Sequence, residues 1–118
     1  MSATIQRFDD DFWILRVRGI LRKSELETCQ ARYASKVQPD GKAKMLILLE
    51  AFEGWERGAA WDDLEFFMTH GDTITKMAIV GDPRLEIEAM TSVGAGIRET
   101  RVRYFPPQAE PEARAWLD

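Results

Sequence analysis

The sequence predicts a single α/β domain, in which a mixed, mostly parallel sheet begins with an antiparallel hairpin strand and carries about four helices. The length of 118 residues corresponds to one domain. Two continuous apolar runs, at residues 44–50 (KMLILLE) and 74–80 (ITKMAIV), are typical of parallel strands that are buried on both faces. Strand-like and helix-like segments alternate in the order β-β-α-β-α-β-α-β-α, as they do in layered α/β proteins.

The first elements form a hairpin followed by a helix. Residues 13–17 alternate between apolar and polar positions, which indicates a half-buried strand, and a weaker strand at residues 4–8 precedes it. Ser24 and Glu27 have the spacing of a capping box, which predicts a helix over residues 24–37.

Three further helices are predicted, at residues 57–69, from Asp82 onward and at residues 111–117, with a strand at 100–105 before the last. Asp82 is expected to cap its helix because Pro83 follows it at the first helical position. The side chains expected to be almost fully buried in the core are Leu46, Leu48, Trp61, Leu64, Ile79 and Trp116.

Composition narrows the possible functions. Hydrophobic residues make up 45% of the chain and charged residues 31%, which is typical of a folded domain. The net charge of -4 gives no electrostatic reason to expect nucleic acid as a partner. A single cysteine, Cys29, excludes an internal disulfide, and no apolar run is long enough to cross a bilayer. We therefore expect a cytoplasmic protein that at most contacts a membrane peripherally.

Four segments carry a resemblance to a known family: LILLEAFEGWE (46–56), AAWDDLEFFMTHGDTITKMAIVGD (59–82), VRYFP (102–106) and EARAWL (112–117). Together they resemble the SpoIIAA-like proteins, bacterial relatives of the STAS domain. The resemblance implies a mixed sheet with helices packed on it. It also implies, by analogy only, an apolar cavity or contact with a membrane surface.

The sequence departs from the STAS switch at the helix after the central strand. The resemblance implies a phosphorylated Ser or Thr there, yet residues 48–67 contain neither. Glu50, Glu53 and Glu56 instead place negative charge where a phosphate would lie. We expect no phosphate switch at this position.

The segment 51–58 concentrates aromatic side chains next to two glycines, and we expect it to be a loop. Two alternatives remain open for Phe52 and Trp55: they fold back over the end of the sheet, or they form an exposed and mobile lip. Trp61, on the apolar face of the following helix, and Phe66 complete the aromatic set. An exposed aromatic patch usually marks a ligand, a partner or a membrane contact.

Charged residues offer weaker candidate sites. Glu50 and Asp82 follow neighbouring strands, so the two carboxylates could bind a cation or share a proton, although Asp82 also suits a helix cap. The only histidine, His70, lies at a helix end, so no metal site or cofactor is predicted. Four arginines lie on the polar sides of strands: Arg16, Arg18, Arg101 and Arg103. If they share a face, they would form a basic stripe that faces solvent, phospholipid headgroups or an acidic partner.

Three functions follow from these patterns. The first is a non-enzymatic binding domain with an apolar pocket for a lipid-like molecule or a membrane surface, walled by Phe52, Trp55, Trp61 and Phe66. The second is a regulator that binds another protein, as a homodimer or with a different partner, through the same aromatic residues. The third is an enzyme that uses Glu50 and Asp82.

Overall fold

A computed structural model of the protein describes residues 2–9, 11–37, 42–58, 73–92 and 100–118. The described residues form five strands, β1 (Ala3–Arg7), β2 (Phe12–Leu21), β3 (Ala43–Trp55), β4 (Ile74–Val80) and β5 (Arg101–Phe105). They also form three α-helices, α1 (Lys23–Lys36), α2 (Glu86–Ser92) and α3 (Glu110–Leu117). Short 3-10 turns, Pro83–Leu85 and Pro107–Ala109, lead into α2 and α3.

The five strands form one sheet in the spatial order β1-β2-β3-β4-β5. β1 pairs antiparallel with β2, while β2, β3, β4 and β5 are parallel to one another. The predicted initial hairpin and the two predicted central parallel strands are therefore confirmed. The apolar runs are continuous because β3 and β4 are covered on both faces of the sheet.

Each face of the sheet has its own core. The α1 face carries α1 and α2, and its most buried side chains include Trp13, Tyr33, Met45, Ile47, Met77, Ile79 and Ala89. The α3 face carries α3, and its core consists of Ile14, Leu46, Leu48, Ala78, Val80, Phe105, Ala109, Ala113 and Leu117. Alternate residues of each central strand thus enter different cores.

The predicted core is confirmed for Leu46, Leu48 and Ile79, which are buried. The prediction was wrong for Trp116, which is only partly buried. On α3, Ala113 and Leu117 are one turn apart and point into the sheet, so Trp116 lies at the flank of the helix. Its ring there contacts Phe105, at 6.2 Å between centroids. The predicted core residues Trp61 and Leu64 lie outside the described residues.

Two predicted helix starts have different outcomes. Asp82 caps the turn at Pro83 as expected, because its carboxylate accepts a hydrogen bond from the Arg84 amide at 2.9 Å. The capping box was wrong: α1 begins at Lys23, so Ser24 already lies inside the first turn, and the cap residue makes no side-chain hydrogen bond.

The second predicted helix cannot be compared along its whole length. Arg57 and Gly58 form a turn, and residues 59–69 lie outside the described residues. The described part of the chain therefore has three helices, against about four expected. None of its helices is long and apolar enough to cross a membrane.

Candidate functional site at the carboxyl end of the sheet

β3 runs well past the end of its neighbour β4. The last pair between these strands joins Leu48 to Val80, whereas β3 continues beside β2 until Trp55 lies opposite Leu21. The prediction of a loop at Phe52 and Trp55 was therefore wrong. β2 extends equally far and supplies the hydrogen-bonding partner that keeps residues 49–55 in the sheet.

Two irregularities interrupt the pairing of this segment with β2. Arg18 lies opposite Glu50, but Gly19 lies opposite Phe52 and Ile20 opposite Gly54, so Ala51 and Glu53 are extra residues on β3. Ala51 has a φ of 49°, which is unusual for a residue other than glycine, and Gly54 has a φ of 125°. The segment is thus a doubly bulged strand.

The bulges decide where the aromatic side chains point. Met45 and Ile47 enter the core of the α1 face, so regular alternation would turn Phe52 toward the α3 face. Each extra residue reverses the alternation. As a result Phe52 and Trp55, three positions apart, both pack against the α1-face core.

Phe52 and Trp55 form an edge-to-face pair with ring centroids 4.9 Å apart and an interplanar angle of 86°. Phe52 is only 9% exposed, while Trp55 is partly buried. Phe52 is therefore buried, as in the first of the two alternatives, but as part of β3 rather than of a loop folded over the sheet. Trp55 keeps part of its ring accessible at the surface. Trp61 and Phe66, the other two predicted aromatic wall residues, lie outside the described residues.

Glu50 and Asp82 are held by different arginines rather than by one another. Glu50 lies on the α3 face, 3.3 Å from the Arg16 guanidinium and 3.7 Å from that of Arg18. Asp82 lies 3.1 Å from Arg84, and the hydrogen bond from the Arg84 amide is the main reason that the pKa of Asp82 is lowered. Each carboxylate therefore has a structural role.

Tyr104 and Gly81 also belong to this end of the sheet, and neither was predicted from the sequence as a site residue. The Tyr104 hydroxyl donates to the Asp82 carbonyl oxygen at 2.7 Å. Burial, and then the charges of Asp82 and Glu86, raise the pKa of Tyr104 to about 12, so its hydroxyl stays protonated at neutral pH. A Cβ on Gly81 would lie 2.7 Å from that hydroxyl, so a larger residue at this position would force Tyr104 to shift. The only available signal was a Gly directly after an apolar strand.

Other predicted candidates do not add chemistry to this site. Cys29 is buried on α1, and desolvation raises the pKa of its thiol, so it acts as a small apolar side chain. His70 lies outside the described residues. Among the described residues, no three His, Cys, Asp or Glu side chains are grouped to hold a metal ion.

A shallow depression lined by Arg7, Phe8, Asp9 and Asp11 lies at the opposite, amino-terminal end of the parallel strands.

Comparison with known proteins agrees with this architecture. Among solved structures, an uncharacterized DUF3478-family protein from Shewanella loihica PV-4, described as having a SpoIIAA-like fold, is similar with a TM-score of 0.73 and 24% sequence identity. The similarity covers 98% of this chain and 92% of that one, and at this identity it shows the fold alone. No curated protein matches significantly. The SpoIIAA-like family model matches residues 12–118, and the chain therefore belongs to the SpoIIAA-like family.

Proposed function

We propose that the chain is a non-enzymatic binding domain that takes a lipid-like hydrophobic molecule at the carboxyl end of its sheet. The observation that carries this proposal is the bulged part of β3, residues 49–55, which extends beyond β4 and presents the Phe52–Trp55 pair on one face. Phe52 anchors the pair in the core, and Trp55 supplies the accessible apolar wall.

The backbone of this segment supports a binding role. A non-glycine residue with a positive φ costs free energy, and such positions cluster at functional sites. Ala51 has this conformation and lies between Glu50 and Phe52. The extra residue at this bulge turns the Phe52 ring to the α1 face.

The electrostatics of the same end favour an uncharged or weakly charged ligand. Glu50 and Asp82 each have a neighbouring arginine, and Tyr104 keeps its proton. Both carboxylates are therefore already paired, and Glu50 lies on the α3 face, opposite the face against which Trp55 packs. A hydrophobic ligand could bury the Trp55 ring without separating these ion pairs.

The proposal is tested with a fluorescent fatty acid and three variants. Trp55→Ala is expected to weaken binding at least about tenfold, because truncating a contacting tryptophan removes more than about 1.4 kcal/mol. Trp55→Phe should retain most of the affinity. Trp116→Ala is the matched control, since Trp116 is also partly buried but lies on the α3 face. Equal losses in Trp55→Ala and Trp116→Ala, or no binding by the wild type, would contradict the proposal.

Two further measurements identify the kind of occupant. Native mass spectrometry of the purified protein reports a retained lipid or a dimer in one spectrum. Liposome flotation shows whether the protein meets its ligand at a membrane surface. A ligand-free dimer that dissociates in the Trp55→Ala variant would replace the lipid proposal with a protein partner at the same aromatic pair.

A further inference from the structure

A row of cations crosses the α3 face near the amino-terminal ends of the parallel strands. Lys44 on β3 lies directly opposite Lys76 on β4, and Lys76 lies directly opposite Arg101 on β5. Arg103 continues the group two residues further along β5. Like charges directly opposite each other in a sheet are destabilising, so this arrangement needs an explanation. We call these four residues the basic row.

The cations of the basic row form no ion pair with any carboxylate of the described residues. Two of them are held in place by other contacts. The Lys76 ammonium donates to the Trp116 carbonyl oxygen at 3.0 Å. The Arg103 guanidinium lies 5.0 Å from the centre of the Phe105 ring and 5.6 Å from that of Trp116. Two side chains of the row are therefore positioned by contacts, and the row is positively charged in a chain whose net charge is -4.

β5 is an edge strand, so Arg101 and Arg103 lie beside a strand edge that another chain could reach. Within the described residues β5 pairs with β4 and with no strand on its other side. Such an edge presents backbone donors and acceptors that can pair with an extended segment of another chain. Arg101 and Arg103 are two positions apart, so both lie on the α3 face of this edge, about 7 Å apart along the strand.

We propose that the β5 edge binds an extended acidic segment of a partner protein, which adds to the sheet as a sixth strand. Acidic side chains at alternate positions of that segment would lie beside Arg101 and Arg103. A second copy of this chain pairing through its own β5 fits poorly, because it would bring the same arginines together. The proposal concerns a different surface from the Phe52–Trp55 pair and does not depend on a hydrophobic ligand.

The test uses a fluorescein-labelled peptide in which valine and glutamate alternate, with binding measured by anisotropy. The double variant Arg101→Gln and Arg103→Gln is expected to bind at least about tenfold more weakly than the wild type, since charge-assisted contacts are the strong ones. A double variant of α1, Arg32→Gln and Lys36→Gln, makes the same change in net charge and should bind as the wild type does. Trp55→Ala should also leave the affinity unchanged, which separates this proposal from the hydrophobic site.

Two altered peptides test the mode of binding. Methylation of alternate backbone nitrogens, on the edge that would face β5, should abolish binding if a strand is added. A peptide with the same residues in separate valine and glutamate blocks should bind more weakly.

Three results would overturn the proposal. The first is equal affinity for the alternating and block peptides. The second is binding of anionic vesicles, but not of the peptide, in a way that depends on Arg101 and Arg103. The third is self-association of the Arg101/Arg103 double variant without any peptide binding by the wild type, which would show that the arginines only protect the edge.

Discussion

The two faces of β3 begin alike and end differently. On the α1 face, the strand stays apolar from Met45 through Ile47 to the Phe52–Trp55 pair. On the α3 face, Leu46 and Leu48 are buried, but the next side chain is Glu50, which lies between two arginines. One face thus continues its core to the carboxyl end of the strand, and the other replaces it with an ion-pair cluster.

The difference shows that the two faces of one strand can be stabilised by different forces. Burial of an aromatic side chain contributes several kcal/mol, whereas an ion pair between partly exposed side chains contributes about 0–1 kcal/mol. Substitutions on the α1 face should therefore have much larger effects on stability than substitutions at Glu50.

Phe52→Ala should lower the free energy of unfolding by about 3–5 kcal/mol, because it leaves a cavity beneath Trp55 in the α1-face core. Urea denaturation followed by circular dichroism measures the effect. Trp55→Ala should cost clearly less, since part of that ring is already in contact with water. If Phe52→Ala costs under about 1 kcal/mol, the α1 face does not continue its core to the end of β3.

Gly81→Ala should lower the free energy of unfolding by about 1–3 kcal/mol, because its Cβ would meet the Tyr104 hydroxyl at 2.7 Å and Leu49 Cδ1 at 2.9 Å. Adding Tyr104→Phe removes the hydroxyl and should recover part of the loss. A double-mutant cycle with four denaturation curves measures this coupling. Strictly additive effects would mean that Gly81 and Tyr104 are not in contact.

The fold was largely predictable because the sequence patterns that define its strands and helix starts are local. The bounds of β4 match the predicted residues 74–80, since an apolar run there lies between polar residues and a strong helix start at Asp82 and Pro83. The parallel arrangement followed from the alternation of strands and helices. The partial burial of Trp116 was not predictable from helical periodicity alone, because it depends on how α3 is rotated on the sheet.

The candidate site was less predictable because its geometry depends on pairing between distant residues. Phe52 and Trp55 are three positions apart, a spacing that does not fit a regular strand, and only the register with β2 shows the two bulges. The same register brings Arg16 and Arg18 beside Glu50. The sequence predicted a basic stripe only if the four arginines share a face. They do lie on one face, but the sequence could not show which of them have an acidic partner.

Ala51→Gly should raise the free energy of unfolding slightly, by at most about 1 kcal/mol, because glycine adopts a positive φ without strain but loses more chain entropy on folding. Ala115→Gly on the exposed side of α3 is the control and should lower stability by about 0.5–1 kcal/mol. Thermal melting of both variants measures the contrast. Equal destabilisation by the two would show that Ala51 is not strained and would weaken the case for a specialised bulge.

Glu50→Gln should change stability least, with a loss of about 0.5 kcal/mol or less, because its ion pairs with Arg16 and Arg18 are partly exposed to solvent. Denaturation at low salt and at about 1 M salt measures the effect, which should vanish when the charges are screened. A loss as large as that of Phe52→Ala would mean that the ion pairs on the α3 face stabilise β3 as strongly as the core on the α1 face does.

The spatial order of the strands is also the order in which they are synthesised. As the chain leaves the ribosome, each new strand can pair with the strand made just before it, and no place in the sheet has to be kept open for a later segment. Such vectorial growth shortens the time during which an unpaired strand edge is exposed to other nascent chains. α3 follows β5 in the chain and covers β3 and β4 on the opposite face from α1, so the second core closes only after the strands beneath it have formed.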